Sequence, residues 1–303
     1  MAAIAIPYVR DIDIAYGRCD RVSPLIRRVT AENPGPFTFK GTGTYIVGRG
    51  KVAVIDPGPD LPDHLEAILA AIPGETVSHI VITHHHSDHS PLARALSKAT
   101  GARVWGRAVA KADAVDAPQT VRLEAGFDDF VPDVPLAGGE IIKGAGWTLE
   151  AIHTPGHTSN HICYALMEEN ALFSGDHIMG WSTTVITPPD GDMGDYLRSL
   201  QTVRDRGFST LWPTHGPPVS VPAPFIAAYA AHRLDRERQI LDRLAAGDRT
   251  IKAMVPVIYA AVDPRLHAPA AHSVLAHMIE LVKSGRVHTI AAPTLDSEYS
   301  LAG

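Results

Sequence analysis

The stretch Val81–Ser90 reads VITHHHSDHS. An apolar, β-branched run stops at Thr83, and His84, His85, His86, Asp88 and His89 follow at once. The preceding VSHIVIT (77–83) has the pattern of a short buried strand. The following SPLARALSKATG (90–101) reads as a helix with Ser90 as its cap, Pro91 at its first position and Gly101 as its stop. Where a strand ends, the alternate residues His84 and His86 point the same way. Asp88 and His89 come around the bend. Two imidazoles with one direction, then a carboxylate and an imidazole with another, suit two adjacent cations better than one. Imidazole mixed with carboxylate fits zinc best, with iron or manganese next.

Outward from this stretch, short strands and helices alternate. TYIVG (44–48) and KVAVIDPG (51–58) read as neighbouring strands turned by Arg49–Gly50. LPDHLEAILAAI (61–72) places Leu65, Ile68, Leu69 and Ile72 on one helical face. ARVWG (102–106), WTLEAIHTPG (147–156), HICYALMEENALFSGD (161–176) and TLWPTHG (210–216) read as further strands ending in polar loops, with MEEN as a hairpin turn. Three of these loops carry His157, Asp176 and His215 next to a glycine, which lets backbone bend closely around an ion. Rigid strands can aim such loop residues at a common point.

Composition bounds the rest. The chain has 303 residues, 45% of them hydrophobic, enough for one large core plus a small satellite domain. A net charge of -6 argues against a global pull toward nucleic acid or anionic membrane. The two cysteines, Cys19 and Cys163, are too few for a disulfide framework and fit a reducing compartment. The N-terminal run lacks the basic region of a signal peptide, and no window approaches a membrane span, so a cytoplasmic protein is expected. The sixteen histidines are many for this length, and their clustering carries the information.

At HGPPVSVPAP (215–224) prolines punctuate the chain and the pattern changes. FIAAYAAHRLDRERQILDRLAAG (225–247), TIKAMVPVIYAAV (250–262) and HAPAAHSVLAHMIELVKSG (267–285) read as helices, and RVHTIAA (286–292) as a short hairpin. Three helices and a hairpin describe a winged helix. Domains are expected at 1–222 and 223–303. Charges between Arg233 and Gly285 nearly balance, so the helices are expected to pack on the site's rim or form a dimer contact rather than read nucleic acid. The apolar FIAAYAA could serve a homodimer.

The strings THHHSDHS, TPGHTSNH, FSGD and PTHGP, in this order over about Gly41 to Pro218, closely resemble the metallo-β-lactamase superfamily. The resemblance implies a four-layer αββα sandwich with metals at one edge of its sheets. It places His84, His86 and His157 on one ion, Asp88, His89 and His215 on a second, and Asp176 between them. Asp56 in VIDPG matches an aspartate that orients the ligands. His85 is expected to face solvent or the substrate cleft. Two zinc ions would share a water, lower its pKa toward ~7 and deliver hydroxide to a carbonyl or phosphoryl centre, with Asp88 orienting it.

Within the family, NPGPFTFKGTGTYIVG (33–48), GWSTTVITPPDGDMGDYLRSL (180–200) and HRLDRERQILDRL (232–244) resemble the lactamase-beta-like protein 2 group, which carries a C-terminal winged helix. This chain departs from that group in having Gly43 where GTNTY has asparagine, and HSPL where HSGG is usual. The expected activity is a dinuclear zinc hydrolase of a small carbonyl substrate: a thioester, lactone or ester. The alternatives are an endoribonuclease of single-stranded RNA and an iron-dependent redox enzyme. Trp181, Ser182, Thr183, Thr184 and Tyr196 are candidates for shaping the substrate cleft or for capping the helix after them. His153, His161 and His177 are expected to support ligands, and His232, His267, His272, His277 and His288 to be structural or solvent-facing.

Overall fold

The computed structural model describes residues 5–109, 126–127 and 129–302. A seven-stranded sheet contains β1 (Cys19–Arg21), β2 (Ile26–Thr30), β3 (Gly43–Val47), β4 (Lys51–Ile55), β5 (Thr76–Val81), β6 (Arg103–Gly106) and β7 (Val134–Pro135), in that order. A five-stranded sheet contains β8 (Ile141–Gly144), β9 (Trp147–His153), β10 (Ile162–Leu166), β11 (Ala171–Gly175) and β12 (Thr210–Pro213), ordered β12-β11-β10-β9-β8. Parallel neighbours need a crossover. Accordingly α1 (Pro62–Ala70) joins β4 to β5, α2 (Leu92–Thr100) joins β5 to β6, and α3 (Met193–Arg206) joins β11 to β12.

The alternation of apolar residues along these strands builds three packed layers. Between the sheets lie Ile26, Tyr45, Ile55, Trp147, Tyr164 and Phe173, among others. Under the first sheet, Ile46, Val54 and Ile80 meet Ile68 of α1 and Leu96 of α2. Under the second, Cys163, Leu172 and Leu211 meet Tyr196 and Leu200 of α3. The result is the expected αββα order. Truncating Phe173, only 1% exposed at the centre, is expected to cost about 3–5 kcal/mol. Two buried tyrosines also cross between the sheets. Tyr45 donates to the Pro213 carbonyl at 2.7 Å and Tyr164 to that of Ile82 at 2.8 Å, each just ahead of a histidine-bearing loop.

The long helix α4 (Pro222–Ala245) starts within the proline-rich stretch, because prolines in a first turn remove only N–H groups that have no helical partner. Phe225, Ile226 and Tyr229 pack into the layer under the second sheet, so the FIAAYAA face is turned into the chain's own core. Farther along, Ile240 and Leu244 join α5 (Ile251–Ile258) and α6 (His267–Lys283) in a separate small core. No helix among the described residues is long and apolar enough to cross a membrane.

Two local expectations are corrected. Ser90 does not cap α2 with its side chain. Its hydroxyl instead donates at 3.3 Å toward the His85 and His86 carbonyls, which also accept backbone N–H groups of Phe127, His89 and Ser90. RVHTIAA does not fold on itself: β13 (Val287–His288) pairs with β14 (Ser300–Leu301) across a longer connection. Tyr299, 1% exposed, packs this wing into the small core, whereas Ile290 is 98% exposed and has nothing to pair with locally.

Candidate metal centre

Each residue singled out in the loops follows the carboxyl end of a strand. Asp56 follows β4, His84–His89 follow β5, His157 follows β9, Asp176 follows β11 and His215 follows β12. The parallel pairs β4–β5 and β11–β12 end side by side, which brings their loops together at one edge of the sandwich.

There the ligand atoms form three overlapping triads: His84, His86 and His157; His84, His89 and Asp176; and Asp88, His89 and His215. Within each triad the atoms lie within 4.8 Å of one another. His157 Nε2 is 3.2 Å from His86 Nδ1, and His215 Nε2 is 3.0 Å from Asp88 Oδ2. Asp176 lies between these groups, its carboxylate 3.6 Å from His89 Nε2, 3.9 Å from His157 Nε2 and 3.5 Å from His215 Nε2.

The ring nitrogens facing away are anchored. His84 Nδ1 lies 3.0 Å from Thr83 Oγ1, His89 Nδ1 lies 2.9 Å from Asp56 Oδ2, His157 Nδ1 donates to the Val185 carbonyl at 2.6 Å, and His215 Nδ1 donates to that of Gly41 at 3.2 Å. Such anchors fix ring orientation and tautomer, leaving the inward nitrogen as a lone-pair donor. Asp56 is fully buried, in a left-handed conformation at φ 47°. It also accepts from Thr83 N at 2.8 Å, Thr83 Oγ1 at 2.7 Å and Thr214 Oγ1 at 3.1 Å, so one carboxylate ties the β5 and β12 loops together.

Four buried atoms in the cage have no protein hydrogen-bond partner: His84 Nε2, His89 Nε2, His215 Nε2 and Asp176 Oδ1. Buried polar atoms are rarely left so. Lone pairs converging from imidazole and carboxylate are what a divalent cation satisfies, so the donor set fits metal ions. The electrostatics are divided. Burial lowers His84 and His86 well below the usual histidine range. Burial also opposes charge on His89 and His215, but the carboxylates of Asp88 and Asp176 outweigh it and raise both, His215 to about 10. Burial in turn opposes charge on Asp88 and Asp176, and the facing His89 and His215 draw both below the carboxylate range. One flank is thus neutral imidazole, and the other pairs the carboxylates of Asp88 and Asp176 with His89 and His215.

Other expected residues fall in varied places. His85 does not face solvent: it is 5% exposed, its Nδ1 3.0 Å from Asn160 Oδ1, because the bend turns it toward the β9–β10 loop. His161 receives the Asp176 backbone N–H at Nε2, 3.2 Å away, and so donates from Nδ1 to Thr154 Oγ1 at 2.9 Å. Gly175, at φ 52°, permits this approach, since a Cβ there would lie 2.5 Å from His161 Nε2. His177 packs on the Tyr196 ring and His153 binds the Ser159 carbonyl. Asp192, not the Trp181–Thr184 hydroxyls, caps α3. Trp181 stacks on Phe39 with centroids 4.9 Å apart, directly against Gly216 beside His215. At Gly43 the missing side chain makes room for Arg28, which donates to the Gly216 carbonyl at 3.2 Å. Of the later histidines, His277 is fully buried between α4 and α6 and His288 is exposed. Sequence reasoning passed over Thr83 and Thr214, which lock Asp56, and Tyr229 and Arg233 of α4, which bind carbonyls of the Asp176–Val185 segment.

Comparison with known proteins agrees with this architecture. Residues 38–215 match the model of the metallo-beta-lactamase superfamily, and residues 250–292 that of the beta-lactamase associated winged helix domain. The chain is 33% identical to a beta-lactamase-like protein 2 homolog of Caenorhabditis elegans over 73% of its own length and 72% of that protein's. It is 30% identical to an atrochrysone carboxyl ACP thioesterase of Aspergillus novofumigatus over 76% of its own length and 66% of that protein's. A beta-lactamase domain protein from Burkholderia ambifaria superposes with a TM-score of 0.78 at 23% identity, covering 96% of each chain, and shares the fold.

Proposed function

We propose that this chain, which belongs to the metallo-beta-lactamase superfamily, is a dinuclear zinc hydrolase that cleaves small carbonyl substrates, thioesters foremost. The observation that carries the reading is the set of three overlapping triads with orphaned, inward-facing ligand atoms. On this reading His84, His86 and His157 hold one ion, Asp88, His89 and His215 the other, and Asp176 spans them. Bound there, the pair would supply Lewis acidity and make a water acidic enough to lose its proton near neutral pH.

The chain's own residues supply the rest. The side chain of Asp88 is 24% exposed, whereas those of His89, His215 and Asp176 are 3% exposed or less. Asp88 is therefore the carboxylate that reaches the open side of the cage, where it can orient the attacking water and take its proton. The half-buried Phe39–Trp181 stack beside His215 offers an apolar wall for the acyl portion of a substrate. The thioester choice draws support from the relatives named thioesterases at 30–33% identity.

The test is a substrate panel with the zinc-loaded protein: an S-acyl pantetheine, S-acyl glutathione, a homoserine lactone, nitrocefin and labelled single-stranded RNA. Thioester hydrolysis that disappears in Asp88→Ala supports the reading. Cleavage of RNA alone, lost in the same variant, would replace it with the nuclease.

A further inference from the structure

Backbone carbonyls buried in irregular loops must find donors. Asp176–Val185 is such a segment: nearby Ser174, Ser182 and Thr184 hydroxyls serve some of its carbonyls, and the other donors come from distant parts of the chain. Tyr196 of α3 donates to the His177 carbonyl at 2.9 Å. Tyr229 of α4 lies 2.6 Å from the Met179 carbonyl and also against that of Ser182, so its single proton is shared. Val9 N–H serves Gly180 at 2.9 Å and Arg10 Nε serves Trp181 at 3.2 Å. Arg233 of α4 donates to the Thr184 carbonyl, and His157 Nδ1 to that of Val185.

Thr184 is the pivot. Its hydroxyl lies 2.9 Å from both the Asp176 and His177 carbonyls. The Thr184 hydroxyl is the donor shared by these two carbonyls, and His177 also accepts from Tyr196. The backbone of Thr184 therefore sets Asp176 through its side chain and His157 through the next carbonyl. Arg233 grips that backbone. Its guanidinium is buried, only 4% of the residue being exposed, and it pairs with no carboxylate among the described residues. A buried cation so placed is expensive to keep; this one donates to the Thr184 carbonyl and sits over the Tyr196 ring, 5.4 Å from its centroid.

We infer that Arg233 and Tyr229 are positioning residues for the metal centre: α4 completes the site by holding the segment that sets Asp176 and His157. This inference rests on the reading of those two residues as metal ligands. It gives the C-terminal helices a task at the site itself.

The experiment compares wild type with Arg233→Met, Arg233→Lys, Tyr229→Phe and, as a control, Leu234→Ala, which changes a 54% exposed residue on the same helix. Zinc affinity is read by competition with a chromophoric chelator, together with kcat and KM on the best thioester and far-UV circular dichroism. Arg233→Met is expected to weaken retention of at least one zinc ion about 10–100-fold and to lower kcat similarly, with KM nearly unchanged. Arg233→Lys should recover part of both, Tyr229→Phe should lose less, and Leu234→Ala should match wild type. Folded Arg233→Met and Tyr229→Phe proteins with wild-type zinc affinity and kcat would overturn the inference. If Arg233→Met does not fold, Tyr229→Phe, which removes one oxygen, carries the same decision. The chelator readout needs no substrate, so failure of the thioester assignment leaves this test intact.

Discussion

Two loops bring candidate metal ligands to the same cage and are supported differently. Thr83–Ser90 carries His84, His86, Asp88 and His89 on one short bend, held by its own Thr83 and Ser90 hydroxyls and by Asp56 at the end of the adjoining strand β4. Asp176–Val185 contributes one ligand, Asp176. Its backbone is held by α3, α4 and the N-terminal segment, from as far away as Arg10 and Arg233. The first loop leans on its own hydroxyls and on the strand beside it, and the second on helices and an N-terminal segment far along the chain. The comparison therefore predicts where substitutions should act.

The largest effects should come from the ligands, equally in the two loops. His86→Ala and Asp176→Ala should each release at least one ion and lower kcat/KM by more than about a hundredfold, beyond the reach of outer partners. Metal analysis after gel filtration and steady-state kinetics check this. An Asp176→Ala protein that keeps both ions would break the symmetry between the loops. Next comes the anchor of the first loop. Asp56→Asn puts an amide among the donors of Thr83, His89 and Thr214, and should lower kcat/KM about 10–100-fold.

The second loop's counterpart is Thr184→Val. It leaves the buried Asp176 carbonyl without its donor, which should cost about 1–3 kcal/mol in denaturant unfolding and about tenfold or less in kcat. Equal activity losses in Asp56→Asn and Thr184→Val would sharpen the comparison by showing that the second loop's backbone support weighs as much as the carboxylate that holds the first. The smallest effect concerns His64 beneath the first loop. Its Nε2 is 2.8 Å from Thr44 Oγ1, and burial lowers its pKa to about 4. The unfolded chain then binds the extra proton between the ordinary histidine value and about 4. Stability should fall as pH drops through that window, by at most about 1.4 kcal/mol per pH unit. His64→Leu should flatten the slope, and an unchanged slope would place the acid sensitivity elsewhere.

The same contrast governs what the sequence made legible. VITHHHSDHS announced itself because strand, ligands and helix lie within a few residues. His157, Asp176 and His215 could be read because each follows an apolar run and sits beside a glycine. Asp56 was legible by the same resemblance that ordered the motifs. That His85 is buried and not solvent-facing was not legible, because its partner, Asn160, lies in another loop. Tyr229 and Arg233 were invisible as supports because an amphipathic helix shows which face is buried, not which carbonyl that face meets. The wing was misplaced because its second strand, Ser300–Leu301, is too short to carry a pattern and is fixed by the packing of Tyr299.

The central claim is that four loops converge on two adjacent cations. The most direct measurement is a crystal structure of the zinc-loaded protein with anomalous data at the zinc edge. Two peaks about 3.5–4 Å apart are expected, one against His84, His86 and His157, the other against Asp88, His89 and His215, with Asp176 touching both. A single peak, or two peaks that leave Asp176 unbound, would contradict it.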